Sequence, residues 1–444
     1  MNAGMLAAQL VAAGLDSGEL QRKTSLFGAV LSAFNLFTGN APDAAQWVPG
    51  RLEVFGTHTD YAGGRTLVAA LPRGFAFAGR RRADGHIRVL DATSGESLTI
   101  EPAGPQSRSS NWRRYVEVVA ARLARNFPGA PLGGDVVFAS DLPRAAGMSS
   151  SSVLMVGVAS TLVRLSDVRG HAEWQANITT PVDEAGYYAC IENGRTFRGL
   201  IGDAGVGTHG GSEDHAAMVC GAPGMLSAFA FVPMRPLESV RLPAEWAFAV
   251  AASGVAAEKT GAALNSYNRL SEGASVLLDL WNRSSQTPAE CLATALVSTP
   301  EAIDRLRSIL KSTPVAGWTA SALENRLQHF VSEDARVPAA LRAFRDRDAG
   351  ALESLGKGSQ QDAEALIGNQ IAETVDLART GLACGAFATR SFGAGFGGSV
   401  WALVRVEHAD AFTRRWLGAY GERHRHERAM AFTALPGPGL VELA

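Results

Sequence analysis

The stretch PGRLEVFGTHTDYAGG (49–64) gathers His58, Asp60 and Tyr61 on a glycine-bounded turn directly after an apolar run with the character of a strand. A turn that tight holds short side chains, here a titratable His-x-Asp pair, rigidly and without the entropy of a long loop. A second stretch, DLPRAAGMSSSSV (141–153), joins a strand to a helix through small residues and four serines. Backbone N–H groups of a helix's first turn and serine hydroxyls converge there on an anion, naturally a phosphate, although one serine would suffice as a plain N-cap. In GVGTHGGSEDHAAMVCGAPGM (205–225), Glu213, Asp214 and His215 follow two glycines. Three adjacent titratable groups are costly to bury unless paired, so the alternative to a site is a surface loop. His58, His209 and His215 with these acids match no standard metal-ligand spacing. Finally, SFGAGFGGSVWALV (391–404) satisfies G-x-G-x-x-G through Gly393, Gly395 and Gly398, but a strand-like SVWALVRV follows where a dinucleotide site needs a helix. These glycines read instead as a turn closing over a phosphate or adenine.

The elements that position these groups alternate along the chain. Apolar runs in QWVPGRLEVFG and FAFAGRRRADGHIRVL read as strands joined by hairpins, and DVVFAS (135–140) and WAFAVAAS (246–253) as further strands. Helices are expected over 24–37, where TSLFGAVLSAFNLF reads as buried and too short for a bilayer, over 111–127 and 149–165, in DEAGYYACIENG, and through most of 260–380. At 444 residues with 46% hydrophobic composition, two domains are expected, divided near 245 where strand-rich sequence gives way to helix-rich sequence: 1–245 and 246–444. The 41 Lys and Arg against 43 Asp and Glu, without long runs, give no sign of a nucleic-acid or membrane-surface footprint and favour a small-molecule partner. Scattered Cys190, Cys220, Cys291 and Cys384 read as reduced thiols of a cytoplasmic protein.

In this order the motifs resemble the GHMP kinases, and within them the galactokinase branch, over most of the chain. Gly50, Arg51, Gly56, His58, Thr59, Asp60 and Tyr61 match the galactokinase signature, with Glu53 and Thr57 where that signature carries Asn and Glu. NWRRYV is similar to the family segment whose tryptophan lies beside adenine, and SGVAAEKTGAALNSYNRL to the segment whose tyrosine touches the sugar. The resemblance implies an α+β, two-domain GHMP kinase fold with its active site in the interdomain cleft, and an ATP- and Mg²⁺-dependent kinase for the anomeric hydroxyl of a sugar. It implies Asp214 as catalytic base and Arg51 as the adjacent cation. Thr57, His58, Asp60, Gly211 and Tyr267 would face the sugar; Trp112, Ala145, Gly147, Ser149, Ser150, Ser151, Ser152, Gly395 and Gly397 the nucleotide; Ser151 and Glu192 the metal. Departures are Ala145 for glycine, Met148 for leucine, His215 for glutamine, and about ten extra residues between Glu192 and Asp214. Thr57 removes a carboxylate at the C6 end of the sugar, which suits L-arabinose or galacturonate and leaves galactose open. A catalytically silent sugar and ATP sensor, or a kinase for a non-sugar alcohol, are the rival readings.

Overall fold

Both faces of the first strands are covered, which explains their near-continuous apolar character. The computed structural model describes residues 1–104, 111–143, 146–256 and 262–443. Strand β1 (Ala44–Phe55) is buried throughout and pairs antiparallel with β2 (Arg65–Arg81) across the turn that carries His58. The shorter strands β3 (Ile87–Asp91), β4 (Ser97–Ile100) and β5 (Gly134–Ser140) extend the sheet in the order β2-β5-β3-β4. β2 and β3 are therefore not the hairpin expected from sequence. The apolar, doubly covered β5 takes the place between them and runs parallel to the half-exposed β3. The start of β2 also pairs with β6 (Met225–Ala230), itself hairpinned to β7 (Arg235–Arg241).

A second, antiparallel sheet contains β8 (Trp246–Ala252), β9 (Ala388–Phe392), β10 (Ser399–Arg405) and β11 (Met430–Ala434) in the order β11-β8-β10-β9. The last strand, β12 (Val441–Leu443), returns to β1 in the first sheet. Between the halves of the second sheet the chain is mainly helical, including Ala262–Ser284, Ala320–Asp346 and Ala372–Ala383. The largest apolar core contains Leu52, Phe75 and Val156 together with Phe248, Phe344 and Trp401, so it joins both sheets. The helix Leu20–Thr38 is buried on one face only, through Phe27, Val30 and Phe34, and leaves Leu36 exposed. Among the described residues no helix is long and apolar enough to cross a membrane. The four cysteines are free thiols.

Candidate active site

The turn after β1 is fastened from three directions. Thr59 Oγ1 donates to the carbonyls of Gly56 and Arg65, both at 2.7 Å, and closes the turn on itself. His58 takes the left-handed region at φ 59°, unusual for a non-glycine residue, and its carbonyl accepts from Arg326 Nη2 at 2.6 Å. Its ring lies between the Tyr61 hydroxyl, 3.1 Å from Nδ1, and the Ala394 carbonyl, 3.2 Å from Nε2. The Asp60 carboxylate accepts from the Tyr61 and Glu213 N–H groups at 2.8 and 3.1 Å, which ties this turn to the element bearing Asp214. Burial raises the Asp60 pKa against those two bonds, with the Asp214 charge adding to the rise. A Cβ on Gly211 would sit 1.8 Å from Asp60 Oδ2, so only glycine admits this approach.

Glu213, Asp214 and His215 form the first turn of a helix, Glu213–Cys220, and all three are buried; the surface-loop alternative does not hold. Arg51, only 2% exposed, compensates them. Its Nε donates to Asp214 Oδ1 at 2.6 Å, Nη2 lies 3.3 Å from Glu213 Oε1, and Nη1 3.9 Å from Glu53 Oε2. Burial opposes the charge on Arg51, but Asp214, Glu213 and Glu53 outweigh it and raise its pKa. Glu213 is pushed well above the ordinary carboxylate range by burial and by the Glu53 charge, with Arg51 opposing. His215 Nε2 lies 3.2 Å from Glu192 Oε2.

The extra residues before Asp214 are strapped down. Arg122 donates to the carbonyls of Arg195 and Leu200, Arg125 to Gly202, Asn126 to Ile201 and Arg114 to Gly205, all from the helix Trp112–Asn126. The segment then folds back so that Val206 N–H bonds the Glu192 carbonyl at 2.9 Å. Thus the insertion returns to the end of the Pro181–Asn193 helix before the chain reaches Asp214.

At the serine loop, Ser149 stands at the N-cap of the helix Ser150–Leu165 with φ 62° and makes no capping bond. The hydroxyls of Ser149 and Ser152 are buried without a hydrogen-bond partner among the described residues, an arrangement that costs about 1–3 kcal/mol each unless a ligand engages them. Capping therefore does not account for these serines. The glycine hairpin between β9 and β10 leans on the same loop: Ser399 Oγ donates to the Ala146 carbonyl at 2.6 Å, and a Cβ on Gly393 would lie 2.7 Å from the Gly147 carbonyl. Gly395 faces Asn369, and Gly397 the carbonyls of Val255 and Ala256. Ala145 lies outside the described residues. Trp112 is half-buried, its Nε1 bonded to Glu96 at 2.9 Å and its edge on Phe138.

A small polar cleft, open to solvent, gathers Arg51, His58, Asp60, Glu192, Gly211, Asp214 and Tyr267 on one lining. Thr57 is not part of that lining. Its hydroxyl donates to Glu53 and is met by Arg390, and Glu53 itself lines the cavity. Glu53 thus brings a carboxylate beside position 57, on the cavity lining. Sequence reasoning gave no role to Glu53, although it stood at a departure beside matched residues, and none to Glu213 beyond grouping it with Asp214 and His215. It had no signal at all for Glu333, whose carboxylate accepts from the Gly56 N–H at 2.9 Å and from Arg390 at 3.1 Å. Among the described residues His58, His209 and His215 do not form a converging metal-ligand group.

Residues 32–81 match the family model described as the galactokinase galactose-binding signature. A galactokinase of Chloroflexus aurantiacus is 28% identical over 403 residues, spanning 88% of this chain and 92% of that protein. One from Streptomyces coelicolor is 28% identical, over 94% and 98% of the two chains. In fold, the chain superposes on Lactococcus lactis galactokinase complexed with galactose with a TM-score of 0.76 at 20% identity, covering 94% of this chain and all of that one. The chain is similar to galactokinases along most of its length and shares the fold of the GHMP kinases. A mevalonate kinase shares the fold more distantly, at a TM-score of 0.54 and 11% identity. The galactokinase-like signature covers β1, its turn and β2, the elements that carry Arg51, His58 and Asp60.

Proposed function

We propose that this sugar kinase transfers the γ-phosphoryl group of ATP to the anomeric hydroxyl of galactose. The observation that carries the reading is the Arg51–Asp214 pair at 2.6 Å, on the same cavity lining as His58, Asp60 and Tyr267. With the sugar held by that turn, Asp214 accepts the proton of the anomeric hydroxyl as its oxygen attacks phosphorus. Arg51 balances the charge of Asp214 and faces the transferring group. The unpartnered Ser149 and Ser152 hydroxyls and the N-terminus of their helix bind the phosphates. Glu192 on the lining and Ser151 in the first helical turn are oxygen donors that suit Mg²⁺, and that ion would shield the triphosphate from the surrounding carboxylates.

Glu53, Asp60, Glu192, Glu213 and Asp214 all line this space. Such a wall disfavours a uronate, whose own carboxylate would meet like charge, and Glu53 restores an acceptor for hydroxyl donors of a neutral hexose. The test is ADP release with galactose, galacturonate, L-arabinose and mevalonate, with ³¹P NMR of the product. Galactose should give the highest kcat/KM and an anomeric phosphate. Galactose and ATP binding without ADP release would favour the silent sensor, and preference for galacturonate would refute the charge argument.

A further inference from the structure

Away from the cleft, two histidines and a carboxylate converge where three elements of the second half meet. Glu373 lies in the first turn of the helix Ala372–Ala383, and His424 and His426 follow the helix Ala409–Gly421. One ligand atom from each of the three lies within 4.8 Å of the others, and His426 Nε2 is 3.4 Å from Glu373 Oε1. His424 Nε2 bonds Asp376 Oδ2 at 2.7 Å, one turn along from Glu373. A carboxylate on one imidazole nitrogen fixes the tautomer and leaves the other nitrogen as an electron-pair donor, the arrangement that orients metal-bound histidines. Asp376 is itself held by Arg379 and Arg423. The His424 ring stacks on Tyr420 at 4.9 Å, and Tyr420 donates to the Ser253 carbonyl at 2.7 Å; His426 backs directly onto Gly254. These side chains are 18–33% exposed, so an ion can reach them and modest rotation can bring the ligands to bonding distance.

We propose that Glu373, His424 and His426 bind a first-row transition ion of the Zn²⁺ class, with Asp376 as the residue that orients His424. Two imidazoles and one carboxylate suit Zn²⁺ far better than Mg²⁺, which takes oxygen ligands. The ion would join the Ala372–Ala383 helix to the segment packed on Gly254. Untagged, chelator-treated full-length protein is titrated with ZnCl₂ by calorimetry, and with CoCl₂ by visible absorption. We expect saturable binding, a Tm that rises with Zn²⁺, and tetrahedral Co²⁺ bands without thiolate charge transfer. His424→Ala and His426→Ala should each weaken this site at least about tenfold and abolish the Tm rise, and Asp376→Asn should weaken it about tenfold. A site elsewhere, such as near Glu192 and His215, survives these substitutions and shows as a second equivalent. Unchanged binding stoichiometry and affinity in the double variant His424→Ala/His426→Ala, a thiolate band, or no Zn²⁺ binding by the parent protein would overturn the proposal.

Discussion

Two buried arginines, Arg51 and Arg390, each gather acidic partners, and they share Glu53 between them. Arg51 faces the cavity, where Asp214 at 2.6 Å is close while Glu213 and Glu53 stand further off at 3.3 and 3.9 Å. Arg390 is sealed. It bonds Glu53 and Glu333 at 3.1 Å each, the carbonyls of Val54 and Ser391 at 3.1 and 2.9 Å, and the Thr57 hydroxyl. The first cluster sets three carboxylates around one guanidinium, whereas the second is saturated with hydrogen bonds. An under-compensated cluster open to a cavity can respond to a substrate; a saturated one can only hold position. Arg390 and Glu333 join β9 and the Ala320–Asp346 helix to the turn of His58.

Breaking the open cluster should give the largest effect. Asp214→Asn removes the base but keeps a partner for Arg51, so kcat should fall by about 10²–10⁴ with galactose affinity little changed. Steady-state rates beside calorimetric sugar binding check this, and near-normal turnover would take Asp214 out of the reaction. Breaking the sealed cluster should act on stability. Arg390→Met leaves Glu53 and Glu333 buried without their shared cation and should cost about 3–5 kcal/mol in urea unfolding. If the variant unfolds like the parent but is inactive, Arg390 belongs to the chemistry instead.

The difference between the clusters also measures what could be read in advance. That Arg51, His58, Asp60 and Asp214 would come together was legible because each sits in a short motif of polar or titratable residues that are costly to bury unpaired. The helix in place of a loop at Glu213 was not, because the compensating Arg51 lies on β1, 163 residues from Asp214. Glu333 and Arg390 had no local signature: a glutamate inside a long helix and an arginine on a strand are unremarkable until packing brings them together. Hairpin order in the first sheet failed similarly, since the intervening β5 arrives after β4 and a helix. Local chemistry was thus readable, and partnership over long separations was not.

The two clusters should titrate with opposite sign. Burial alone would raise the Glu333 pKa, but Arg390 and Arg336 outweigh it and bring it down to about 2. Its contribution is therefore present above the ordinary glutamate range and is lost as pH falls from about 4.5 towards 2, an effect of about 3 kcal/mol. Glu213, with its pKa raised, contributes most below the ordinary range and loses that contribution as pH rises through its shifted value. Unfolding midpoints against pH should show Glu333→Gln less acid-sensitive than the parent, and Glu213→Gln relatively stabilised at alkaline pH. Shifts of the same sign in both variants would mean that the clusters do not differ in charge compensation.

The smallest expected effect addresses the residue the clusters share. Position 57 holds a threonine, and the carboxylate that bonds it comes from Glu53, four residues earlier on the same strand and turn. Glu53→Asn should weaken Arg390 and remove an acceptor from the cavity. Thr57→Glu should crowd a second carboxylate against Glu53; at ~4 Å the repulsion is of order 4 kcal/mol at an effective dielectric of 20, less where water enters. Combined, the substitutions return one carboxylate to the pair, so the double variant should be less destabilised than the sum of the singles by about 0.5–3 kcal/mol. Its galactose KM should likewise recover towards that of the parent. Additive stability losses with additive KM changes would show that Glu53 and Thr57 act separately. In that case the carboxylate at 53 would not be standing in for one at 57, and the selection of a neutral hexose would have to rest on the other acids of the cavity alone.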